Sequence, residues 1–128
     1  CTRSRSMEKC KWRMKKIADE LKECRKPFLA LGDETRQQII IALLESDCNG
    51  IRVGEITKKT NLSRPAVSHH LRILKDAGMI NMRREGTKNY YFVDASESQW
   101  KRILDLVGVI YESAKDITKE DPRKVEKW

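Results

Sequence analysis

The sequence predicts a mainly α-helical fold with one small β-hairpin, and three patterns in its 128 residues support this prediction. Apolar residues recur at helical spacing near both ends of the chain. Between those ends, a serine and a proline precede an amphipathic segment that a glycine closes, which is typical of a capped helix. Two short runs of strand-forming residues then flank a connection that contains a glycine, a pattern that indicates a hairpin.

The first predicted helix runs from Cys10 to Phe28. Its apolar residues follow one another at intervals of three or four, and they are Cys10, Met14, Ile17, Leu21, Cys24 and Phe28. We expect Pro27 to end this helix, because proline cannot continue the helical hydrogen-bond pattern. A second, mostly buried helix is expected over residues 34–45, with Asp33 as its capping residue.

A helix-turn-helix is expected in the middle of the chain. Residues 51–60 have room for a brief strand and a two-turn helix, and a short turn follows. Ser63 can cap the next helix, in which Pro65 occupies a position where a missing amide hydrogen has no cost. Gly78 closes that helix, which therefore spans about residues 64–77.

The predicted hairpin follows directly. Strand-forming residues dominate residues 79–84 and 89–93, and Gly86 lies in the connection between them. A last helix carries apolar residues at heptad spacing over nearly three heptads: Trp100, Ile103, Val107, Ile110, Ala114 and Ile117.

Residues 28–95 form the compact central region of this prediction, and the two apolar stripes lie mostly outside it. We therefore predict that residues 1–27 and 96–128 contain dimerisation helices that pair with a second copy of the chain. Packing of the two stripes against each other within one chain is the alternative. The expected interface residues are Met14, Ile17, Leu21, Cys24, Trp100, Ile103, Val107, Ile110 and Ala114.

The positive charge is concentrated in two blocks. The chain has 27 Lys and Arg against 19 Asp and Glu, and residues 1–26 and 51–91 each carry a net charge of +6. Clustered cations attract polyphosphates, so this distribution suggests nucleic acid as the partner, ahead of a membrane surface. The longest apolar run, residues 39–44, is far below the roughly 20 residues that a membrane-spanning helix needs. Because no signal peptide is expected either, the sequence predicts a cytoplasmic protein.

The helix over residues 64–77 has the pattern of a recognition helix. Val67, Leu71 and Leu74 form an apolar edge, and the opposite edge is polar and basic. Such a helix enters the major groove of duplex DNA, where arginine can contact guanine, while a basic hairpin acts as a wing on the phosphates. The predicted contacts of this winged helix-turn-helix are Lys58, Lys59, Ser63, Arg64, Ser68, His69, Arg72, Arg83, Arg84, Thr87 and Lys88. We expect His70 to be a hydrogen-bonded residue at the flank of the core.

Four segments of the chain resemble the arsenical-repressor (ArsR/SmtB) family of bacterial and archaeal regulators. They are Leu29 to Arg36, Ile51 to Ile56, Leu62 to Ile80 and Arg83 to Phe92. The resemblance covers about residues 29–111, and it implies a homodimeric repressor that occupies an imperfect palindrome in a promoter and leaves when an inducer binds. It also implies dimer contacts from the first and last helices.

The chain departs from the metal-sensing members of that family. These carry a Cys-x-Cys pair where this sequence has Arg52 and Gly54, and others use histidines of the last helix, whereas residues 96–118 contain no histidine. We therefore expect no metal site of either type and no cofactor. A soft-metal, arsenical or oxidant sensor built from the thiols remains a hypothesis, and its residues are Cys10, Cys24 and Cys48. The alternative for Cys10 and Cys24 is apolar packing.

The alternatives to DNA binding are a protein-interaction module and an enzyme. A winged helix can serve as a protein-interaction module without any operator, and the polar edge of the recognition helix would then be a solvated face. The sequence shows neither a nucleophile, base and carboxylate set nor a glycine-rich phosphate loop, so we do not expect an enzyme.

Overall fold

The fold is mainly helical with one small hairpin, as predicted. The computed structural model describes residues 4–46, 49–93 and 99–120, with the backbone alone for residues 4–10 and 117–120. The elements in chain order are α1 (Ser4–Glu23), α2 (Arg25–Leu31), α3 (Glu34–Leu44), α4 (Val53–Thr60), α5 (Arg64–Asp76), β1 (Asn81–Glu85), β2 (Lys88–Phe92) and α6 (Trp100–Glu120). No helix within the described ranges is long and apolar enough to cross a membrane.

The chain divides into two compact units, which are described separately. The central unit extends from Arg25 to Lys101 and contains α2 to α5 and the hairpin. The terminal unit contains α1, Cys24 and α6 from Arg102 onwards.

The prediction that Pro27 ends the first helix is wrong. The chain turns three residues earlier, at Cys24, whose amide donates to the carbonyls of Glu20 and Leu21, both at 3.1 Å. Pro27 is then the third residue of α2. The first amides of a helix have no intrahelical acceptor, so proline is accommodated there without losing a hydrogen bond.

Helix α3 confirms the second predicted helix to within one residue. Oδ2 of Asp33 accepts a hydrogen bond from the amide of Arg36 at 3.0 Å, which is the expected cap. Four residues of α3 belong to the core: Ile39, Ile40, Ala42 and Leu43. They pack with α4 and α5, which bury Ile56, Val67, Leu71 and Leu74.

The expected brief strand before α4 is a single bridge to the hairpin. Ile51 donates to the carbonyl of Tyr91 at 3.0 Å and accepts from its amide at 2.9 Å. The loop after α3 is thereby attached to β2. Ile51 itself is 4% exposed and joins the core.

The hairpin has a two-residue turn at Gly86 and Thr87. Gly86 adopts a φ of 64°, a conformation that glycine adopts without strain, and a glycine at this first turn position is typical of the type II′ turn. Paired residues share one face of the ribbon, and Arg83 is paired with Tyr90, and Glu85 with Lys88. The predicted hairpin is confirmed.

In the terminal unit, ion pairs join α1 and α6. Arg102 donates to Oε1 of Glu20 and to Oε2 of Glu23, both at 3.0 Å, and Arg13 lies 3.8 Å from Asp116. The hydrogen bond to Glu20 raises the pKa of Arg102 above its ordinary value. A cavity of about 390 Å³ lies between the two helices, and Ile17 and Leu106 are among the residues that line it.

Candidate nucleic-acid interface

Helix α5 begins and ends where the sequence predicts. Oγ of Ser63 accepts from the amide of Ala66 at 3.3 Å, and Pro65 occupies the second helical position. Asn61, with a φ of 58°, forms the left-handed turn that connects α4 to α5. At the other end Gly78 has a φ of 77° and accepts from the amide of Gln99 at 3.0 Å. The predicted helix-turn-helix is confirmed.

The two edges of α5 differ sharply in exposure. Val67, Leu71 and Leu74 are 0%, 1% and 0% exposed. The opposite edge is exposed along its whole length, and its residues are Pro65, Ser68, His69, Arg72 and Asp76. Because the apolar edge is fixed in the core, the polar edge is held towards solvent at a defined position.

Arg64 and Arg72 supply the guanidinium groups of this exposed edge. Both are exposed, and neither has an ion-pair partner within the described ranges. Nη1 of Arg64 lies 3.9 Å from the point that a Cβ would occupy on Gly54, so its guanidinium extends back over the first turn of α4. Each group retains the planar set of donors that fits guanine or a phosphate.

Helix α4 adds two further cations. Lys58 and Lys59 lie in its last turn, and both are exposed, as the sequence predicts. The side chains of Thr57 and Thr60 turn back to the carbonyls of Gly54 and Ile56, at 2.6 and 2.7 Å. The two threonine hydroxyls are therefore engaged with the helix backbone, and the two lysines supply the positive charge of this turn.

The tip of the hairpin carries three of the predicted contact residues. Arg84, Thr87 and Lys88 are all exposed. Nε of Arg84 donates to the carbonyl of Gly86 at 3.0 Å, which fixes the arginine stem along the turn. The hairpin thus presents cationic groups near a rigid turn, an arrangement suited to phosphate contact.

Arg83 differs from the other predicted wing residues, because two of its donor atoms and the face of its guanidinium are engaged within the protein. Its Nε donates to Oε1 of Glu85 at 2.9 Å, and its Nη1 donates to the carbonyl of Asn49 at 2.7 Å. The guanidinium also lies over the ring of Tyr90, with 4.9 Å from Cζ to the ring centroid. These contacts fasten the hairpin to the loop after α3.

His70 lies at the flank of α5, half-buried, beside Arg36 of α3. Its Nδ1 is 3.4 Å from Nη1 of Arg36, and its ring contacts the ring of His69 at 5.3 Å between centroids. Burial lowers the pKa of His70 below its ordinary value of 6.5. Arg36 and His69 act in the same direction, whereas Asp33 opposes them.

Sequence reasoning did not identify Arg36 as a residue of this region. Arg36 precedes the buried Ile39 and Ile40 by three and four positions, so it shares their face of α3. A charged residue on the apolar face of a short helix is a detectable signal, and it indicates a guanidinium held by internal acceptors.

The structure describes one thiol of the proposed sensor in full. Cys24 is 0% exposed, in agreement with the packing alternative. The side chain of Cys10 and all of Cys48 lie outside the described residues. Across the ranges that the structure describes, His, Cys, Asp and Glu form no group of three or more that could hold a metal ion.

The predicted dimer residues of α1 and α6 lie in different environments. Met14, Ile17 and Ile103 are half-buried, Leu21 is 43% exposed and Cys24 is buried. Trp100 belongs to the central unit, and its Nε1 donates to the carbonyl of Met79 in the same unit at 2.8 Å.

Helix α6 has a second buried side that the sequence analysis missed. Leu106 and Ser113 are its most buried residues, at 4% and 5% exposure, and Leu106 lines the cavity beside α1. The predicted stripe lies about 100° further around the helix. Trp100 and Ile103 of that stripe are half-buried, whereas its later residues are more exposed within one chain: Val107 is 48% exposed, Ile110 is 37% exposed, and Ala114 is exposed.

Comparison with known proteins identifies the family. A sequence profile described as "Bacterial regulatory protein, arsR family" matches residues 33–82, which contain the helix-turn-helix and the start of β1. The "Uncharacterized HTH-type transcriptional regulator MJ1325" of Methanocaldococcus jannaschii is 39% identical over 80 residues, which are 62% of this chain and 85% of that protein. The chain belongs to the ArsR family.

A second relative and a solved structure resemble this ArsR-family regulator in sequence and in fold. The "Transcriptional repressor SdpR" of Bacillus subtilis is 38% identical over 72 residues, 56% of this chain and 77% of that protein. The solution structure of the homodimeric winged helix-turn-helix DNA-binding domain of Mb0332 from Mycobacterium bovis has a TM-score of 0.54. It is 26% identical, and the match covers 81% of this chain and 89% of that one. The predicted winged helix-turn-helix is confirmed.

Proposed function

We propose that this ArsR-family transcriptional regulator binds a specific operator in duplex DNA through the exposed edge of α5. The observation that carries the proposal is the contrast between the fully buried Val67, Leu71 and Leu74 and the exposed polar edge opposite them. A helix anchored in this way presents its N-terminal residues to base edges in the major groove. Ser68, His69 and Arg72 read bases, with Arg64 at the start of the helix, and Ser63 contacts the adjacent phosphate.

The remaining cations position the protein on the phosphates. Lys58 and Lys59 lie in the helix that precedes α5, and Arg84, Thr87 and Lys88 form the tip of the wing. Such contacts add affinity and orientation but little sequence information. Arg83 shapes the wing through Glu85, Asn49 and Tyr90 instead of contacting DNA directly.

The proposed regulator is a homodimer. The stripe that contains Val107, Ile110 and Ala114 stays exposed within one chain, although it is apolar at heptad spacing. A second copy that covers this stripe would place two recognition helices on two half-sites, which requires a palindromic operator. We accordingly assign DNA binding to residues 28–95 and dimerisation to the flanking helices.

Repression is the proposed outcome of operator binding. SdpR, named as a transcriptional repressor, is a relative of this chain over the helix-turn-helix region. A dimer that occupies a promoter blocks polymerase by exclusion. Because the target is promoter DNA, we propose that the protein acts in the cytoplasm of a bacterium or archaeon.

Selection of bound fragments from random duplex DNA tests this function. We expect recovery of an inverted repeat whose half-site centres lie about 34–36 Å apart or at a multiple of that distance. The logarithm of the affinity for that repeat is expected to fall linearly with the logarithm of the salt concentration, by about 0.9 per phosphate neutralised. No enriched sequence, together with a weak salt dependence, would refute the proposal and favour a protein-interaction module.

A promoter assay then tests the direction of regulation. With the recovered repeat placed over a promoter, we expect transcription to fall when the protein is added. A rise in transcription would contradict repression while leaving operator binding intact.

A further inference from the structure

Arg36 links the end of α2 to the recognition helix. Its Nε donates to the carbonyl of Ala30 at 2.8 Å, and its Nη2 donates to the carbonyl of Leu29 at 3.1 Å. These carbonyls belong to the last turn of α2, and the carbonyl of Leu29 also accepts from the amide of Gly32 at 3.2 Å. On its other side, Nη1 reaches Nδ1 of His70 in α5.

The guanidinium is held at a fixed position. The side chain is 16% exposed, and Oδ2 of Asp33 lies 4.0 Å from Nη1. Because arginine can only donate, Nδ1 of His70 accepts this hydrogen bond, and the ring proton of the neutral imidazole is on Nε2. Arg36 therefore joins three helices through directional contacts.

The contact to His70 constrains α5 in a way that its apolar edge does not. Val67, Leu71 and Leu74 hold the helix by apolar packing, which has no directional preference of its own, whereas the contact from Arg36 adds a directional hydrogen bond at the flank of the helix. Reading of base edges by bidentate side chains tolerates little displacement. His70 is adjacent to His69, whose ring it contacts and which belongs to the exposed edge.

We infer that Arg36 is a positioning residue for sequence recognition: it fixes the orientation of α5 against α2 through His70, without contacting DNA. This inference rests on the proposed operator binding. Arg36 would then affect how strongly the protein prefers the operator over other DNA sequences. This preference can be measured separately from the attraction to phosphates, which all sequences share.

Arg36→Lys tests the inference, because lysine keeps the charge but has no planar set of donors for three acceptors. The measurement compares the dissociation constants for the selected operator and for a random duplex of equal length at one salt concentration. The specificity ratio is the dissociation constant for the random duplex divided by that for the operator. We expect this ratio to fall about tenfold, with the affinity for the random duplex unchanged within about twofold. Arg25→Lys, an exposed arginine of α2, is the matched control and leaves the ratio unchanged.

Two substitutions of His70 separate positioning from stability. His70→Asn places an acceptor close to the position of Nδ1, whereas His70→Leu has a similar volume and no acceptor. We expect His70→Leu to lower the ratio as Arg36→Lys does, and His70→Asn to retain most of it. The double variant of Arg36→Lys and His70→Leu should lose no more than Arg36→Lys alone, because both substitutions remove the contact between Arg36 and His70.

The outcomes distinguish this inference from the proposed function. If the wild-type protein selects no operator, the proposed function itself fails. If it selects one and all Arg36 and His70 variants that remain folded by circular dichroism keep the wild-type ratio, Arg36 has no positioning role. Equal losses on operator and random DNA would also overturn the inference, since they indicate a loss of folded protein or of phosphate attraction.

Discussion

Leu106 and Val107 are neighbours on α6, yet Leu106 is 4% exposed and Val107 is 48% exposed. Leu106 lines the space beside α1, whereas Val107 belongs to the stripe that one chain leaves uncovered. The helix thus has one apolar side for its own chain and another that is available to a second copy.

Val107→Glu is expected to weaken the dimer. A carboxylate buried in an apolar seam is costly, so the dissociation constant of the dimer should rise at least about tenfold. Sedimentation equilibrium measures this change. Gly108→Glu is the matched control, because a Cβ at Gly108 meets nothing within 4 Å and its position lies about 100° from Val107. Equal dissociation constants for the two variants would contradict the proposed interface.

Arg72→Ala is expected to reduce operator affinity by roughly 1–3 kcal/mol and to relax the base preference at one position of each half-site. The reason is the loss of a bidentate contact from an exposed guanidinium of α5. Binding to a panel of singly substituted operators measures both effects. A uniform loss across the panel would make Arg72 a phosphate contact.

Lys88→Ala is expected to lower affinity evenly across all sequences. Lys88 lies at the tip of the wing, and a phosphate contact there contributes about one unit to the salt slope. Titrations at several salt concentrations should therefore give a slope smaller by about one. An unchanged slope would show that Lys88 does not contact the duplex, and Arg84→Ala would then test the other side of the turn.

The stability of the folded protein is expected to depend on pH through His70. Its pKa in the folded protein is below 6.5, so near that pH the unfolded chain binds the proton more readily. The full contribution to the free energy of unfolding is present above pH 6.5 and is lost as the pH falls through the folded pKa.

Denaturant unfolding at a series of pH values measures this effect. His70→Asn should remove the part of the pH dependence that belongs to His70, because asparagine does not titrate. His69→Asn should retain most of it, because burial, the largest cause of the lowered pKa of His70, remains in that variant. If both variants follow the wild-type pH profile, His70 does not contribute in this way.

Local patterns in the sequence were sufficient to predict most of the fold. Ser63, Pro65 and Gly78 mark the recognition helix, and Gly86 marks the hairpin, because capping and turn geometry depend on a few neighbouring residues. Pro27 led to a wrong helix end, because a proline can end one helix or lie in the first turn of the next. No glycine or proline at Cys24 marked the turn that the structure has there.

The non-local contacts could not be read from the sequence. The sequence predicts Arg83 as a DNA contact but gives no sign that the carbonyl of Asn49, 34 positions away, accepts a hydrogen bond from it. Arg36 and His70 are separated by the same interval, and only the packing of α3 on α5 brings them together. The buried side of α6, with Leu106 and Ser113, was not predicted because the heptad spacing pointed to another face of that helix.

The bridge between Ile51 and Tyr91 anchors the hairpin near its base. A two-stranded ribbon alone is marginal in water, but this one is held near its open end by two backbone hydrogen bonds, and Arg83 donates to the carbonyl of Asn49 in the neighbouring loop. Under the proposed DNA binding, the cations at the tip of this hairpin would therefore approach the phosphates from a base that is tied to the central unit.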